Sequence, residues 1–440
     1  MKLPEAVRRC MERLENAGYA CYAVGGCVRD WLLGLEPHDY DLCTAATPAQ
    51  IKTVFSDHGL VLAGEKHGTV GVITDGGVVE ITTFRTEEGY ADNRHPDAVH
   101  FVADVTEDLA RRDFTVNAMA WSPSRGLADP FGGRVDLQER TLRAVGDPQQ
   151  RFREDSLRIL RGVRFAARFR LTPEEKTLAA MKELAPLMDH LARERVFDEL
   201  CKLLTKCTVD DLITYRPILC RAIPELAPLA GFDQHSRHHA YDVYVHTAHV
   251  TGAVPPELCL RWAALLHDTG KPATFARDDR GEGHFYGHAK VSAQLAEQVL
   301  RRLKAPNQLR EQVVDLVQLH MTRIEPEKKA VRRWLSRLGE DTMHQLLALQ
   351  EADMSCKGTG IPGETRQFAQ IRSLMQQVLQ EDACLQLKDL AVDGYDLMML
   401  GLSGREVGQM LQYLLEQVME ETLINDKEAL LTAAKQKIHG

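Results

Sequence analysis

The stretch VGGCVRDWLLGLEPHDYDL, Val24 to Leu42, sets two glycines, an arginine and two aspartates one residue apart into an otherwise apolar frame. Acids at i and i+2 of a strand point to one face, so Asp39 and Asp41 together could hold a divalent metal while Tyr40 and Leu42 face the core. Hard Mg²⁺ prefers such oxygen ligands, usually alongside substrate phosphates. Gly25 and Gly26 ahead of a helix let backbone N–H groups approach a triphosphate, and the helix N-terminus adds a favourable dipole. Arg29 could add a charge-assisted contact, although pairing with Asp30 is the first expectation. An isolated D-x-D also fits a solvated surface, and the glycine turn upstream is what weighs for chemistry.

VVEITTFR supplies a third acid, Glu80, on a later strand with apolar neighbours. Three acids around two metals can activate a ribose 3′-hydroxyl and stabilise a leaving pyrophosphate; a plain salt bridge from Glu80 to Arg85 fits the spacing nearly as well. In EDLARRDFTVNAMAW, Arg111 and Arg112 can hold phosphates, and Asp113 and Asn117, at i and i+4 of an expected helix, can hydrogen-bond ribose hydroxyls. DPFGG at 129–133 is a turn sequence that by itself needs no function. Asp155 and Arg158 lie three apart, on one face of an expected helix, with Arg161 and Arg164 continuing a basic row; an ion-paired solvated face reads equally well from spacing.

These residues need a scaffold. Residues 1–17 have helical spacing, YACYAVGG reads as a strand entering a glycine turn, VRDWLLGL as a helix and DYDLCT as a strand. GTVGVITDGGVVEITTFR reads as a hairpin turning at Asp75-Gly76-Gly77. After Pro148 nearly everything is helix-periodic, with breaks at Pro173, Pro217, Pro224 and Pro255-Pro256, and loops at RDDRGEGHFYGH and CKGTGIPGETRQ. At 440 residues the chain is expected to hold two to four domains. No apolar run reaches membrane-spanning length, and the N-terminus lacks a secretory core, so a soluble cytoplasmic protein is expected. Ten cysteines without a C-x-x-C pair read as reduced, mostly buried thiols. A net charge of −9 argues against nonspecific coating of nucleic acid, though a local basic surface can still grip phosphates.

GGCVRD with DYD, EITTFR, RRDFTVNAM, DPFGG and EDSLRILRGVRF, in this order, resembles the class II tRNA nucleotidyltransferases, the CCA-adding enzymes with bacterial poly(A) polymerases as kin. The resemblance spans residues 20 to about 200. It implies an α+β chain: a polymerase-β-like head followed by all-α regions. The expected boundaries are head 1–148, neck 149–225, an HD domain 226–355 and a tRNA-binding tail 356–440. It also implies Mg²⁺ on Asp39 and Asp41 with Glu80 assisting, triphosphate contacts from Gly25, Gly26 and Arg29, and nucleotide contacts from Arg111, Arg112, Asp113 and Asn117.

Asp155 and Arg158 are implied as a protein template, with Glu154 buttressing the arginine. Cytosine and adenine each present an amino donor beside a ring-nitrogen acceptor, which an aspartate and an arginine complement; guanine and uracil invert both groups. RTEEGYADNRHPDAVHF, Arg85 to Phe101, resembles the flexible loop that CC-adding enzymes lack. The implied partners are tRNA, CTP and ATP, with no membrane. A-only addition and poly(A) synthesis stay open, although the long basic tail of many poly(A) polymerases is missing.

A second constellation comprises HTAHV, LLHDTGKP, YGHAK and LHMT, with histidines on what read as separate helices. Imidazole with carboxylate suits a transition metal such as Ni²⁺, Co²⁺ or Mn²⁺. The set resembles the HD phosphohydrolase domain, which implies His246, His267 and Asp268 as ligands and His288 and His320 in or beside the site. Asp353 in LQEADMS suits the last position, with Asp315 a competitor. The implied activity is removal of a 2′,3′-cyclic or terminal phosphate from RNA ends. The C-terminal LAVDGYDLMMLGLSGREVGQMLQYLLEQVME resembles a tRNA-elbow tail, with GLSGREVG read as a turn capped by serine. Two rival readings are an HD nucleotide phosphohydrolase with a degenerate head, against which the acids at 39, 41 and 80 speak, and a noncatalytic RNA-binding protein resting on the basic row from Arg151 to Arg170.

Overall fold

Helix α1 (Glu5–Asn16) buries Val7, Cys10, Met11 and Leu14 as one stripe, while Arg8 pairs with Glu5 and Glu12 on the wet side. After it come β1 (Cys21–Val24), α2 (Gly26–Leu32), β2 (Leu42–Thr44), α3 (Pro48–Val54), β3 (Leu60–Val61), β4 (Thr69–Thr74) and β5 (Gly77–Thr83). The strands β6 (Arg85–Glu88) and β7 (Ala98–Phe101) pair as a separate ribbon, followed by α4 (Val105–Ala110), β8 (Ala120–Ser122), β9 (Gly126–Ala128) and α5 (Gly133–Gln138). The computed structural model describes every residue except 90–97, 236–239, 358–364, 382–383 and 440, so the tip of the loop expected at 85–101 lies outside the described residues.

One seven-stranded sheet, in the order β3-β4-β5-β2-β1-β8-β9, carries this part of the chain. Its neighbours are antiparallel except β2 and β5, which run parallel with Leu42 opposite Ile81. The expected β4–β5 hairpin is present; Gly77 takes φ +104°, and the Thr74 hydroxyl donates to the Gly77 carbonyl at 2.6 Å. The strand expected over DYDLCT is shorter, because Asp39 and Asp41 stay exposed at the sheet's end and only Leu42–Thr44 is ladder. Beneath that end, Val24, Cys43, Phe84, Leu109, Ala118 and Ala120 form one apolar cluster, so the acids stand on a packed floor.

Helices α6 (Pro148–Glu154), α7 (Leu157–Phe169), α8 (Glu175–Glu183), α9 (Arg193–Leu204), α10 (Val209–Thr214) and α11 (Arg216–Ala222) complete a first compact unit, Met1–Ala227. Asp147 caps α6 by accepting the Gln149 N–H, with Pro148 at the first helical position. The DPFGG turn has a structural cause. Asp129 accepts the Gly133 and Arg134 N–H groups at 2.7 and 2.9 Å, and a Cβ on Gly133 would come within 2.2 Å of the Thr115 carbonyl oxygen. Gly133→Ala should therefore cost about 3 kcal/mol of unfolding free energy in urea titration, the upper end of overpacking effects, since backbone rather than a pliable side chain is in the way.

The second unit, Pro228–Gly440, is built of helices, with a two-residue-per-strand ribbon at 276–284 as the only strand pair among its described residues. Helices α12 (Val243–Ala253), α13 (Leu258–Leu266), α14 (Lys271–Thr274), α15 (His288–Arg302), α16 (Asn307–Leu319), α17 (Lys328–Leu338) and α18 (Glu340–Ser355) follow in order. α13 packs against α12, α15, α16 and α18 around the fully buried Trp262. Then come α19 (Arg366–Gln380), α20 (Gly394–Met398), α21 (Arg405–Met419) and α22 (Lys427–His439), the last three sharing a core of Leu397, Leu414 and Leu430. The serine cap expected in GLSGREVG is absent: Gly404 is the N-cap of α21, and Ser403 instead gives its backbone N–H to Glu406. The ten cysteines are free thiols. The architecture is the expected α+β head followed by helices.

Candidate active site and a buried histidine–aspartate cluster

Strand pairing gathers the head residues at one end of the sheet. β1 runs antiparallel to β2, with Ala23 opposite Leu42, so the turn leaving β1 at Gly25 lies beside the acids entering β2. The parallel register of β2 with β5 sets Glu80 alongside Asp41, one residue before the Leu42–Ile81 pair. Gly25 takes φ +76° and donates its N–H to the Met119 carbonyl, which ties the turn to the segment holding Asn117. Loss of hydration, then the charges of Glu80 and Asp39, push the Asp41 carboxyl up, with Arg112 opposing. Mutual repulsion of this kind marks a set of acids suited to sharing a cation. The three do not close into a tight group of ligand atoms; among the described residues such groups occur in the second unit. Arg85 pairs with Glu87 at 2.8 Å, so the expected alternative partner of Glu80 is engaged elsewhere.

A cavity of about 840 Å³ opens beside these acids. Its wall includes Gly25, Gly26, Arg29, Asp39 and Asp41 from the sheet end, Arg111, Arg112, Asp113 and Asn117 from the segment before β8, and Asp155, Arg158, Arg161 and Arg164 from the helical part. Glu80 is not part of that wall. Arg29 donates to Asp30 at 2.7 Å and to the Asn117 side-chain oxygen, with its guanidinium 4.1 Å from the Phe169 ring centroid, so the pairing with Asp30 is present and the side chain is locked. Arg112 stands closer to the glycine turn: a Cβ on Gly25 would meet its Nη1 at 2.9 Å, and its buried Nε has no hydrogen-bond partner among the described residues.

Two helical expectations are corrected. Asp113 and Asn117 do not share an α-helix face, because Phe114 is extended and only Thr115–Asn117 make a 3-10 turn. The tight turn nevertheless brings them together, with Asn117 Nδ2 donating to Asp113 Oδ1 at 3.1 Å. Asp113 also accepts from Arg161 at 2.6 Å; burial opposes its ionisation, but Arg161, Asn117 and Arg158 together outweigh it and the carboxyl falls to about 2. Asp155 and Arg158 are likewise on no common helix. Asp155 is extended (φ −142°, ψ 102°) between α6 and α7, and its Oδ1 accepts the Leu157 N–H at 3.0 Å. Arg158 is held rigidly by Glu154 at 2.9 Å, the Arg111 carbonyl at 3.0 Å and the Arg151 carbonyl at 3.3 Å.

In the second unit the expected ligands converge. His246 lies in α12, His267 ends α13 with Asp268 next to it, His288 begins α15, His320 ends α16 and Asp353 lies in α18. The Asp268 carboxylate faces two sides. Its Oδ2 is 3.1 Å from His267 Nε2 and 3.5 Å from His246 Nε2; its Oδ1 is 3.4 Å from His288 Nε2 and 3.9 Å from His320 Nε2. Asp353 is 2.9 Å from His246 and 3.8 Å from His267, whereas Asp315 is exposed on α16. Backbone carbonyls of Ala264, Phe285 and Val317 hold the Nδ1 atoms of His267, His288 and His320, aiming each Nε2 inward.

His267 Nε2 and Asp268 Oδ2 are buried with no partner in hydrogen-bonding geometry among the described residues, and Lys271 Nζ is 2.7 Å from Asp268. Burial, with His267 adding to it, pushes His320 down to about 4; burial also lowers His288. His267 is driven the other way, to about 10, because Asp268 and Asp353 together overcome its burial. The lowered His288 and His320 imidazoles and the ionised Asp268 and Asp353 carboxylates are ligand types that suit a transition ion, whose binding would displace the proton that the two carboxylates hold on His267.

Residues 21–143 match the family model described as Poly A polymerase head domain, and residues 284–434 match tRNA nucleotidyltransferase domain 2. A CCA-adding enzyme of Levilactobacillus brevis is 36% identical over 434 residues, 98% of this chain and 97% of its own length. The chain belongs to the CCA-adding enzymes. The Limosilactobacillus reuteri CCA-adding enzyme is 48% identical over 200 residues, 46% of this chain and 49% of that protein. Among solved structures, the Bacillus stearothermophilus CCA-adding enzyme in complex with CTP superposes with a TM-score of 0.71 at 27% identity, covering 100% of this chain and 98% of that one. The Thermotoga maritima CCA-adding enzyme complexed with tRNA_CCA shares the fold at TM-score 0.57 and 20% identity, over 98% and 94% of the two chains.

In this CCA-adding enzyme the sequence reading omitted three cavity-wall cations, Arg168, Arg195 and Lys202. Arg195 and Lys202 sit in RERVFDELCK, where spacing shows only an amphipathic helix. Asp108 was also missed: fully buried, it sits 2.8 Å from Arg111 and 3.4 Å from Arg112 and so orders both. Its offset of three and four residues from the arginine pair was the available signal.

Proposed function

We propose that the head cavity binds CTP and ATP and transfers the nucleotide to a tRNA 3′ end, completing CCA, with each wall residue in a separate role. The observation that carries this reading is a single cavity on which two catalytic carboxylates, a glycine turn, a cluster of arginines and an Asp–Arg pair all open. Gly25, Gly26 and Arg112 receive the triphosphate, while Arg29 keeps Asn117 and the turn in place. Asp113 and Asn117 face the ribose. Asp39 and Asp41, with Glu80, would hold the divalent metal that the nucleotidyltransferase fold implies; their all-oxygen set suits Mg²⁺, which supplies Lewis-acid polarisation when bound. The 3′-hydroxyl gives up its proton to solvent as its oxygen attacks the α-phosphorus, the bond from that phosphorus to the bridging β-phosphate oxygen breaks, and pyrophosphate leaves.

Asp155 accepts the amino proton of cytosine or adenine and Arg158 donates to the neighbouring ring nitrogen. Glu154 and the two backbone carbonyls fix the arginine for that task. Arg158→Ala should raise incorporation of UTP relative to CTP by roughly tenfold to a hundredfold, because the missing donor no longer faces a donor on uracil. Steady-state competition between labelled nucleotides measures it, and unchanged selectivity at full activity places the template elsewhere. A-only addition is the alternative for the head.

The cluster around Asp268 favours a second activity. His246, His267, Asp268 and Asp353 on one side, and His288 and His320 on the other, would hold Ni²⁺, Co²⁺ or Mn²⁺, and the expected reaction is hydrolysis of a 2′,3′-cyclic or terminal phosphate on RNA. Residues 1–148, 149–225, 226–355 and 356–440 then serve as head, neck, hydrolase and tRNA-binding tail. The cytoplasm is the compartment in which tRNA ends meet both activities; among the described residues no helix is long and apolar enough to cross a membrane.

A further inference from the structure

Asp155 is the acceptor half of the proposed base-reading pair, and nothing in its own backbone fixes its carboxylate. It is a single extended residue between two helices, where the carboxylate torsion is soft. Leu157 N–H holds Oδ1 at 3.0 Å, and Arg195 Nη2 holds Oδ2 at 2.9 Å. Arg195 comes from α9, which packs against α7, and it lines the same cavity. Its Nη1 is buried without a hydrogen-bond partner among the described residues. Fastening α9 to α7 is already the work of the Arg164–Glu199 pair, 2.5 Å apart with side chains 9% and 6% exposed, and of the buried Val196, Leu200 and Leu203. Arg195 is thus surplus as a staple, and its guanidinium hydrogen bond among the described residues ends on the residue that faces the base.

We propose that Arg195 is a positioning residue for nucleotide selection: it fixes the plane of the Asp155 carboxylate so that a remaining oxygen lone pair meets the amino group of cytosine or adenine. This rests on the template reading of Asp155 and Arg158. Each carboxylate oxygen carries two lone pairs, so Oδ2 can take Arg195 on one and the base on the other. Without Arg195 the carboxylate turns, the amino group loses its acceptor, and the carbonyl of uracil or guanine is no longer set against a fixed negative oxygen.

The test is kcat/KM for CTP, UTP, ATP and GTP, each with a tRNA primer of the appropriate 3′ end, in the full-length wild type, Arg195→Ala, Arg195→Lys and Arg158→Ala. Arg195→Ala should lower the CTP/UTP and ATP/GTP ratios by roughly tenfold to a hundredfold. Arg195→Lys should restore most of the loss, because the observed contact is a single N–H to Oδ2 that an ammonium can also make. Arg195→Met, which keeps the apolar stem without a donor, takes the same measurement if the alanine variant does not fold. An equal slowing of all four nucleotides by Arg195→Ala, with Arg158→Ala shifting the ratios, would overturn the positioning role and leave the template reading intact. Unchanged ratios in both variants would overturn the template reading itself.

Discussion

Asp39→Ala and Asp41→Ala should each cut CCA addition by roughly three orders of magnitude or more, with tRNA binding retained. The size follows from the several kcal/mol that metal-assisted charge stabilisation contributes to phosphoryl transfer, at a factor of ten per 1.36 kcal/mol. Neither side chain is part of the apolar floor beneath it; both are exposed at the sheet end, so folding should survive. Asp41 has the firmer case of the two, since it stands next to Glu80 through the β2–β5 register and its carboxyl is pushed up by loss of hydration and then by that neighbouring acid. Single-turnover addition of labelled CTP, beside a filter-binding measurement on the same tRNA, separates chemistry from binding. Wild-type rates in either variant would move the metal site away from these residues.

His267→Ala combined with Asp268→Ala should remove the proposed transition-metal binding and the proposed phosphohydrolase activity while CCA addition stays near the wild-type rate. Asp268 is the member both histidine sets share, so its loss dismantles both at once. The carboxylates proposed for the head lie at the end of its own sheet, and the residues lining its cavity all belong to the first unit. Deleting a buried ionised aspartate leaves Lys271, 5% exposed, without its counter-charge, and a stability cost of about 3 kcal/mol or more is expected from that alone. Metal content by mass spectrometry, hydrolysis of a 2′,3′-cyclic phosphate and a thermal melt on the same sample read the three effects apart. A folded double variant that kept its metal and its hydrolysis would reduce the cluster to a structural one.

Part of the scaffold was legible: the glycine turn after β1 and the hairpin carrying Glu80 follow from turn composition and a period of two residues. The strand expected across Asp39 and Asp41 was misjudged, since the ladder begins only at Leu42 and the two acids precede it. Asp155 shows where this stops. RFREDSLRIL has unbroken helical periodicity, yet the chain leaves the helix at one residue, with no glycine or proline to mark it; the Leu157 N–H taken by the aspartate's own side chain makes the break. Asp113 and Asn117 fail for a related reason, since the i,i+4 spacing that suggests a helix also suits a tight 3-10 turn closed by their mutual hydrogen bond. The histidines proposed as ligands were visible as residue types, but four helices bring them together, with Asp353 from a fifth, and spacing along the chain carries no record of that. Only the packing of α18 on α12 and α13 separates Asp353 from the exposed Asp315. Arg195 was invisible altogether, because its partner lies 40 residues away in a position the periodicity had assigned to a helix.

The most direct test of the central claim is a product ladder: purified enzyme, a tRNA transcript ending before its 3′ CCA, Mg²⁺, and labelled CTP and ATP supplied separately and together. A CCA-adding enzyme with this site should make two additions with CTP alone, a third with both nucleotides, and then stop, all abolished by Asp41→Ala. A long run of adenylates, addition of A without prior C, or no extension at all would contradict the claim.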